Sequence, residues 1–117
     1  VLARHADAGG IILKTHFPRD RFVSWLAAAD VLIGNSSSGI IEAASFGTPV
    51  INVGTRQNLR ERYANVIDVV PEPDALTDAL ATALAKGRFA PANIYGDGQS
   101  AERIARILAE VPLDHQL

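Results

Sequence analysis

Short apolar runs alternate along this chain with longer segments whose apolar residues recur every three or four positions. That is the pattern of strands alternating with helices. The sharpest instance runs from Val31 to Gly54. Val31, Leu32 and Ile33, bounded by Gly34, predict a buried parallel strand. Asn35, Ser36, Ser37 and Ser38 are cap and turn formers, and Gly39 lets the backbone come close to a ligand. A helix is predicted from about Ser38, with Ile40, Ile41, Ala44 and Ser45 inward. Gly47 sits at its end, and Thr48-Pro49 leads into a strand from Val50 to Val53.

The remaining segments repeat the alternation. Val1-Leu-Ala reads as the tail of a strand, Arg4 to Gly10 as a turn-rich loop, and Ile11 to Lys14 as a second strand. Parallel neighbours need a crossover of about ten residues or more, and Arg4 to Gly10 is too short. Either the two strands are not neighbours, or a crossover helix is missing between Gly10 and Ile11; the second reading is favoured. Thr15 to Pro18 forms a loop at a strand's carboxyl end, where doubly wound sheets bind ligands. Asp20 is placed to cap a helix reaching about Ala29, with Phe22, Val23, Leu26 and Ala27 inward and Trp25 at the edge of that face. Gly54 to Arg62 is a polar, basic loop with some helical character. Asn65 to Val70 reads as a strand near the sheet edge, because Asp68 interrupts it. A helix starting at Asp74 carries Leu76, Leu80 and Leu84 and closes at Gly87. After the glycine-rich turn region from Ala90 to Gly98, Ser100 is expected to cap a last helix whose Ile104, Ile107, Leu108 and Val111 share a face.

This order predicts an α/β fold, a Rossmann-like parallel sheet with flanking helices. No internal repeat or low-complexity segment interrupts it. The chain has 117 residues, enough for one core, and 21% charged residues beside 48% hydrophobic ones, a globular balance. A net charge of −2 gives no support to nucleic acid or an anionic membrane as partner. Cysteine is absent, which removes disulfides and thiolate metal sites and fits a cytoplasmic setting. No apolar run reaches membrane-spanning length, and Asp30 interrupts the longest. Methionine is absent even from position 1, so the chain is expected to be a segment of a longer protein.

The candidate chemistry lies at the serine loop. A helix N-terminus offers unpaired N–H groups and partial positive charge, and three serines add hydroxyl donors, which together suit an anion. Plain N-capping is the competing reading, since serines before a helix most often do only that. Glu42 fits no capping box, because the third residue after Ser36, Ser37 or Ser38 is Gly39, Ile40 or Ile41. A carboxylate there would repel phosphate and accept hydrogen bonds from a sugar diol. Arg56, third past Val53 on the same side of the sheet, suits a phosphate. Neither a GxGxxG nor a Walker loop is present, the serines lack a GxSxG context, and His5, His16 and His115 have no metal-ligand spacing. The residues alone therefore give an α/β domain with a phosphate site.

Four runs, in order, carry a resemblance that spans nearly the whole chain: Gly34-Asn-Ser-Ser-Ser-Gly-Ile-Ile-Glu42, Phe46-Gly-Thr-Pro-Val-Ile-Asn52, Gly54-Thr-Arg-Gln57 and Ile94-Tyr-Gly-Asp-Gly98. The sequence resembles the carboxyl-terminal domain of the UDP-N-acetylglucosamine 2-epimerases. The resemblance implies the carboxyl-terminal half of a GT-B fold, with residues 1–117 as a UDP-binding domain lacking its amino-terminal partner. It gives Ser36 and Ser37 the UDP diphosphate, Glu42 the ribose hydroxyls, Arg56 the phosphate end and Phe17 the uracil, and leaves Ser38 nearest to plain capping. Arg4 and His5 stand where the family carries Pro-Asn, so His5 takes the position of an asparagine that touches the nucleotide. The family helix that would follow Gly10 is missing, at the point where the crossover is too short.

Gly54-Thr-Arg-Gln57 resembles the hydrolysing branch, and the Thr-Glu-Arg-Pro-Glu run usual in the other branch is absent. The implied reaction is UDP-N-acetylglucosamine plus water giving N-acetylmannosamine plus UDP, through a glycal formed by loss of the C2 proton and departure of UDP. The family's acids and bases for C2 belong largely to the amino-terminal domain, so no catalytic residue is assigned here and this segment alone is expected to be inactive. No metal or cofactor is called for, and the whole protein is expected to be a homo-oligomer. Two other assignments compete: the donor-nucleotide domain of a GT-B glycosyltransferase, and a non-catalytic nucleotide-binding domain.

Overall fold

The structure, a computed structural model, describes residues 10–112. The predicted strand tail of Val1 to Ala3, most of the following loop and His5 lie outside the described residues, as does the tail beyond Pro112. The chain runs through α1 (Arg19–Ala28), β1 (Leu32–Gly34), α2 (Ser37–Ile41), a 3-10 turn (Ala43–Phe46), β2 (Val50–Val53), β3 (Val66–Val69), α3 (Pro73–Lys86) and α4 (Ser100–Glu110). The three strands form one sheet in the order β1-β2-β3, and both pairings are parallel. Leu32 pairs with Val50, and Val50 with Val66.

This is the α/β architecture that the alternation predicted, with β3 at an edge. Side chains alternate across β2. Val50 packs with Leu26 and Ala43 on one face, supported by Phe22, Leu32, Phe46 and Val66. Ile51 packs with Ala79 and Ala83 on the other, supported by Val53, Ile67, Val69, Leu76 and Leu80. Helices thus cover both faces, and β2 is buried because it is the central strand.

Several predicted details are corrected. Ile11 to Lys14 form no strand and leave Ile11, Ile12 and Leu13 exposed, because among the described residues no neighbouring strand supplies the ladder bonds that would hold them extended. Asp20 does not cap α1; Pro18 stands at the cap without a side-chain bond, and Asp20 lies in the first turn. Leu84 is exposed, and the inner face of α3 is Leu76, Ala79, Leu80 and Ala83, since small alanines allow close approach to β2. Pro73, at the first turn, begins α3 one residue before Asp74, where its missing N–H costs nothing. The end at Gly87 stands as predicted, with a positive φ of 68°. Ser100 is the first residue of α4 and Gln99 its cap. The loop after β2 contains turns at 56–59 and no helix.

Arg88 ties this unit together. It donates to the carbonyls of Phe46 (3.1 Å), Ala27 (2.5 Å) and Ala29 (2.9 Å), joining the end of α1 to the turn before β2. Nothing in its sequence context signals that role. Among the described residues, no helix is long and apolar enough to cross a membrane.

Candidate functional site

The serine loop leaves the carboxyl end of β1 and is capped by its first serine. Ser36 Oγ accepts from the Ser38 amide at 3.4 Å and from the Ser38 hydroxyl at 2.9 Å. The capping role expected of Ser38 therefore belongs to Ser36, whose extended backbone (φ −78°, ψ 145°) suits an N-cap. Capping does not exhaust Ser36, because a hydroxyl oxygen that accepts still has a proton to donate. Ser37 is half-buried, at the first helical position.

The helix behind the loop is shorter than predicted. α2 has five residues and passes into the 3-10 turn at Glu42. The change of pitch rotates the faces. Ile40, Ala43 and Ala44 are fully buried, while Ile41, expected inward, is exposed. A five-residue helix has a small macrodipole, so anion attraction here must come mainly from hydroxyls and a guanidinium. Gly39 is required by the sheet: a Cβ there would meet Val50 Cγ1 at 3.0 Å and Leu32 Cδ2 at 3.4 Å. Its predicted purpose, close approach to a ligand, is corrected to close approach to the strands.

Arg56 comes to the serine loop as predicted. Its Nη1 donates to the Asn35 carbonyl at 3.2 Å, and the neighbouring Gln57 Nε2 donates to the same oxygen at 2.9 Å. Gln57 is 3% exposed. Sequence reasoning missed it, although it stands inside the Gly-Thr-Arg-Gln run. The loop continues through Leu59, whose φ of 68° is unusual for a residue with a side chain and whose side chain is wholly exposed.

Glu42 sits at the far end of α2, as its C-cap, and not in a first turn. It forms an ion pair with Arg19, from the first turn of α1, a second residue that the sequence did not single out. The two line a cavity of about 350 Å³ together with Val23, Ile41, Asn93 and Tyr95. Ser45 Oγ donates to Asn93 Oδ1 at 2.5 Å, and Tyr95 OH donates to the Glu61 carbonyl at 2.6 Å. The Ile94 to Gly98 run is thereby fastened beside Glu42. A pocket with one carboxylate, one guanidinium and an apolar wall can take a polyhydroxylated ligand with a flat apolar part.

Phe17 lines a different hollow, of about 240 Å³, with Ile12, Phe22, Trp25 and Leu32. Its ring lies 6.0 Å from that of Trp25, tilted by 33°. The structure thus ties Arg56 to the serine loop at Asn35, sets Glu42 in a cavity that neither Arg56 nor Ser36 and Ser37 line, and keeps Phe17 outside that cavity.

A sequence model of the UDP-N-acetylglucosamine 2-epimerase family matches residues 1–109. The chain is 47% identical over its full length to 31% of the UDP-N,N'-diacetylbacillosamine 2-epimerase (hydrolyzing) of Legionella pneumophila. It is 36% identical, over 79% of its length, to 26% of the UDP-N-acetylglucosamine 2-epimerase of Neisseria meningitidis serogroup B. Over 41% of its length it is 50% identical to 12% of the GDP/UDP-N,N'-diacetylbacillosamine 2-epimerase (hydrolyzing) of Campylobacter jejuni. The chain spans less than a third of the length of these curated relatives. With the family model covering nearly all of it, the chain belongs to the UDP-N-acetylglucosamine 2-epimerase family, on the branch of the hydrolysing members.

Proposed function

We propose that this chain is the UDP-binding part of a hydrolysing nucleotide-sugar 2-epimerase, and that it works with an amino-terminal domain in a GT-B arrangement. The observation that carries the reading is the hydrogen bond from Arg56 to the Asn35 carbonyl, which ties a guanidinium to the residue that precedes Ser36 and Ser37 in the loop. In this reading those three groups hold the diphosphate. Glu42 takes the ribose hydroxyls in the cavity it lines with Arg19, Phe17 lies toward the uracil, and His5 adds a nucleotide contact.

Holding the diphosphate matters for rate as well as binding. When UDP leaves C1, negative charge grows on its oxygens, and donors already aimed at them stabilise the transition state more than the ground state. The removal of the C2 proton falls to residues outside this chain, so the contribution here is to the leaving group.

The substrate is proposed as a UDP-linked 2-acetamido sugar, UDP-N-acetylglucosamine first. The 47% identity to a diacetylbacillosamine enzyme favours UDP-N,N'-diacetylbacillosamine as a second reading. The complete gene product containing this chain should be incubated with each sugar nucleotide in water, without an acceptor. Release of UDP together with the free 2-epimerised sugar from one of them is the expected outcome, and the preferred substrate chooses between the readings. UDP-sugar consumption only when an acceptor is added would replace the epimerase with a glycosyltransferase. Nucleotide binding with no turnover of either compound would leave a non-catalytic binding domain.

A further inference from the structure

The Asn35 carbonyl stands where β1 ends and the serine loop begins, and two donors of unlike character meet on it. Gln57 is buried and reaches it at 2.9 Å; Arg56 is exposed and reaches it at 3.2 Å. Gln57 is itself held from behind. Its main-chain carbonyl accepts from Arg62 Nη2 at 2.9 Å. Arg62 Nε lies 2.8 Å from Asp68 Oδ2, close enough to pair charges although its N–H is not aligned as a hydrogen bond. Asp68 Oδ1 in turn accepts from the buried Asn52 Nδ2 at 2.6 Å. A chain of contacts therefore runs from the sheet to Gln57 and ends on the serine loop.

We infer that Gln57 is a positioning residue that fixes the Asn35 carbonyl as an anchor from which Arg56 is presented to an anion on the serine hydroxyls. The inference rests on the proposed diphosphate reading of that loop. A carbonyl oxygen has two lone pairs, and these two donors can occupy both, so its negative end is turned from an incoming anion and onto protein N–H groups. Arg56 spends one N–H of its guanidinium on the anchor and keeps the others for the ligand. An exposed arginine already tethered at one nitrogen has less rotamer freedom to lose when it closes on a phosphate. Without Gln57 the carbonyl loses its buried donor, and Arg56 loses a fixed point to pivot on.

The test compares UDP and uridine affinities in the complete gene product for the wild type, Gln57→Met, Arg56→Ala, the double variant and Ser37→Ala. Gln57→Met and Arg56→Ala should each weaken UDP about tenfold, as loss of a charge-assisted phosphate contact does. Uridine affinity should stay within about twofold of wild type, because no diphosphate contact is involved. In the double variant the loss should be within about threefold of Arg56→Ala alone, because the two residues act through one contact. Losses that multiply, or a Gln57→Met variant with wild-type UDP affinity, would overturn the inference. If wild type prefers UDP and Ser37→Ala abolishes the preference while Gln57→Met is silent, only the positioning role fails. If wild type binds UDP no better than uridine and Ser37→Ala changes nothing, the diphosphate reading fails with it. A Gln57→Met protein that has also lost uridine has lost its packing, and Gln57→Asn, which keeps an amide but is one methylene too short to reach Asn35, then decides: UDP weakened with uridine kept supports the anchor, and UDP unchanged overturns it.

Discussion

Gly47 and Phe89 exchange a contact that admits no side chain. The Phe89 amide donates to the Gly47 carbonyl at 2.9 Å, and the Phe89 carbonyl oxygen occupies the place of a Gly47 Cβ, which would stand only 2.0 Å from it. Gly47 also has a φ of 66°, in the left-handed region where other residues pay a penalty. The contact pins the segment before the Ile94 to Gly98 run against the turn that follows Glu42. Gly47→Ala should cost about 3 kcal/mol or more, from overpacking against backbone together with the left-handed penalty. Chemical denaturation of the variant against wild type measures it, and a loss below about 1 kcal/mol would mean that the two segments separate easily.

Asn52 and Asp68 face each other across the β2–β3 ladder, in register. Asn52 is 1% exposed and its amide donates to Asp68 at 2.6 Å, so removing the carboxylate strands a buried donor. Asp68→Ala should destabilise by about 1–3 kcal/mol, and Asp68→Asn, which keeps an acceptor, by less. The order of the two variants in denaturation midpoint is the check. Equal losses would assign the effect to the Arg62 ion pair instead.

How far such relationships could be read beforehand depended on their range. The strand from Val50 to Val53 and the stops at Gly47 and Gly87 were legible, because apolar runs and glycine ends are local signals. The inward face of the helix after the serines was not: a uniform α pitch puts Ile41 inside, whereas the shift to 3-10 turn at Glu42 puts Ala43 there. The strand from Ile11 to Lys14 was not, since an apolar run becomes a strand only beside a partner and none pairs with it among the described residues. The meeting of Arg56 with the serine loop was legible from position, because both loops leave the carboxyl ends of parallel strands. Gln57 was not, because a glutamine in a polar loop looks like any solvated residue until the fold buries it against Asn35. The stripe of Ile104, Ile107 and Leu108 on α4 was legible as a face, yet all three are exposed among the described residues.

The start of α4 should be sensitive to acid. Arg103 bonds to both oxygens of Asp97, and the Gln99 amide donates to one of them, which together hold the Asp97 carboxyl below its ordinary value of 3.8. A carboxyl whose value is lowered by folding contributes stability above the unfolded value and loses it as pH falls through the folded one. Order at the start of α4 should therefore be constant from neutral pH down to about the ordinary carboxylate range and fall only below it. Asp97→Asn should show the loosened state already at neutral pH. Amide exchange of the Gln99 to Arg103 segment as a function of pH reads both, and an Asp97→Asn protein with wild-type protection would assign the cap elsewhere.

Glu42 has a partner in hand, Arg19, and the question is whether that partnership is its purpose. The Arg19 side chain is 74% exposed and that of Glu42 21%, so the pair lies at the edge of water, where such pairs contribute about 0–1 kcal/mol. A purely structural carboxylate would therefore be nearly dispensable, and Arg19→Ala and Glu42→Gln would be equally mild in stability and in binding. A carboxylate that accepts the ribose hydroxyls behaves differently. Hydrogen bonds to a charged acceptor contribute about 1.5–3 kcal/mol, so Glu42→Gln should weaken nucleotide binding by about tenfold to a hundredfold while changing stability by less than about 1 kcal/mol. The loss should fall alike on uridine and UDP, since both carry the diol, and should be smaller for 2'-deoxyuridine, which has one hydroxyl fewer to lose. Arg19→Ala should keep most of the affinity, because it leaves the carboxylate in place. Calorimetric titration of these three ligands against the two variants separates the roles: equal affinities in wild type and Glu42→Gln would return Glu42 to the ion pair.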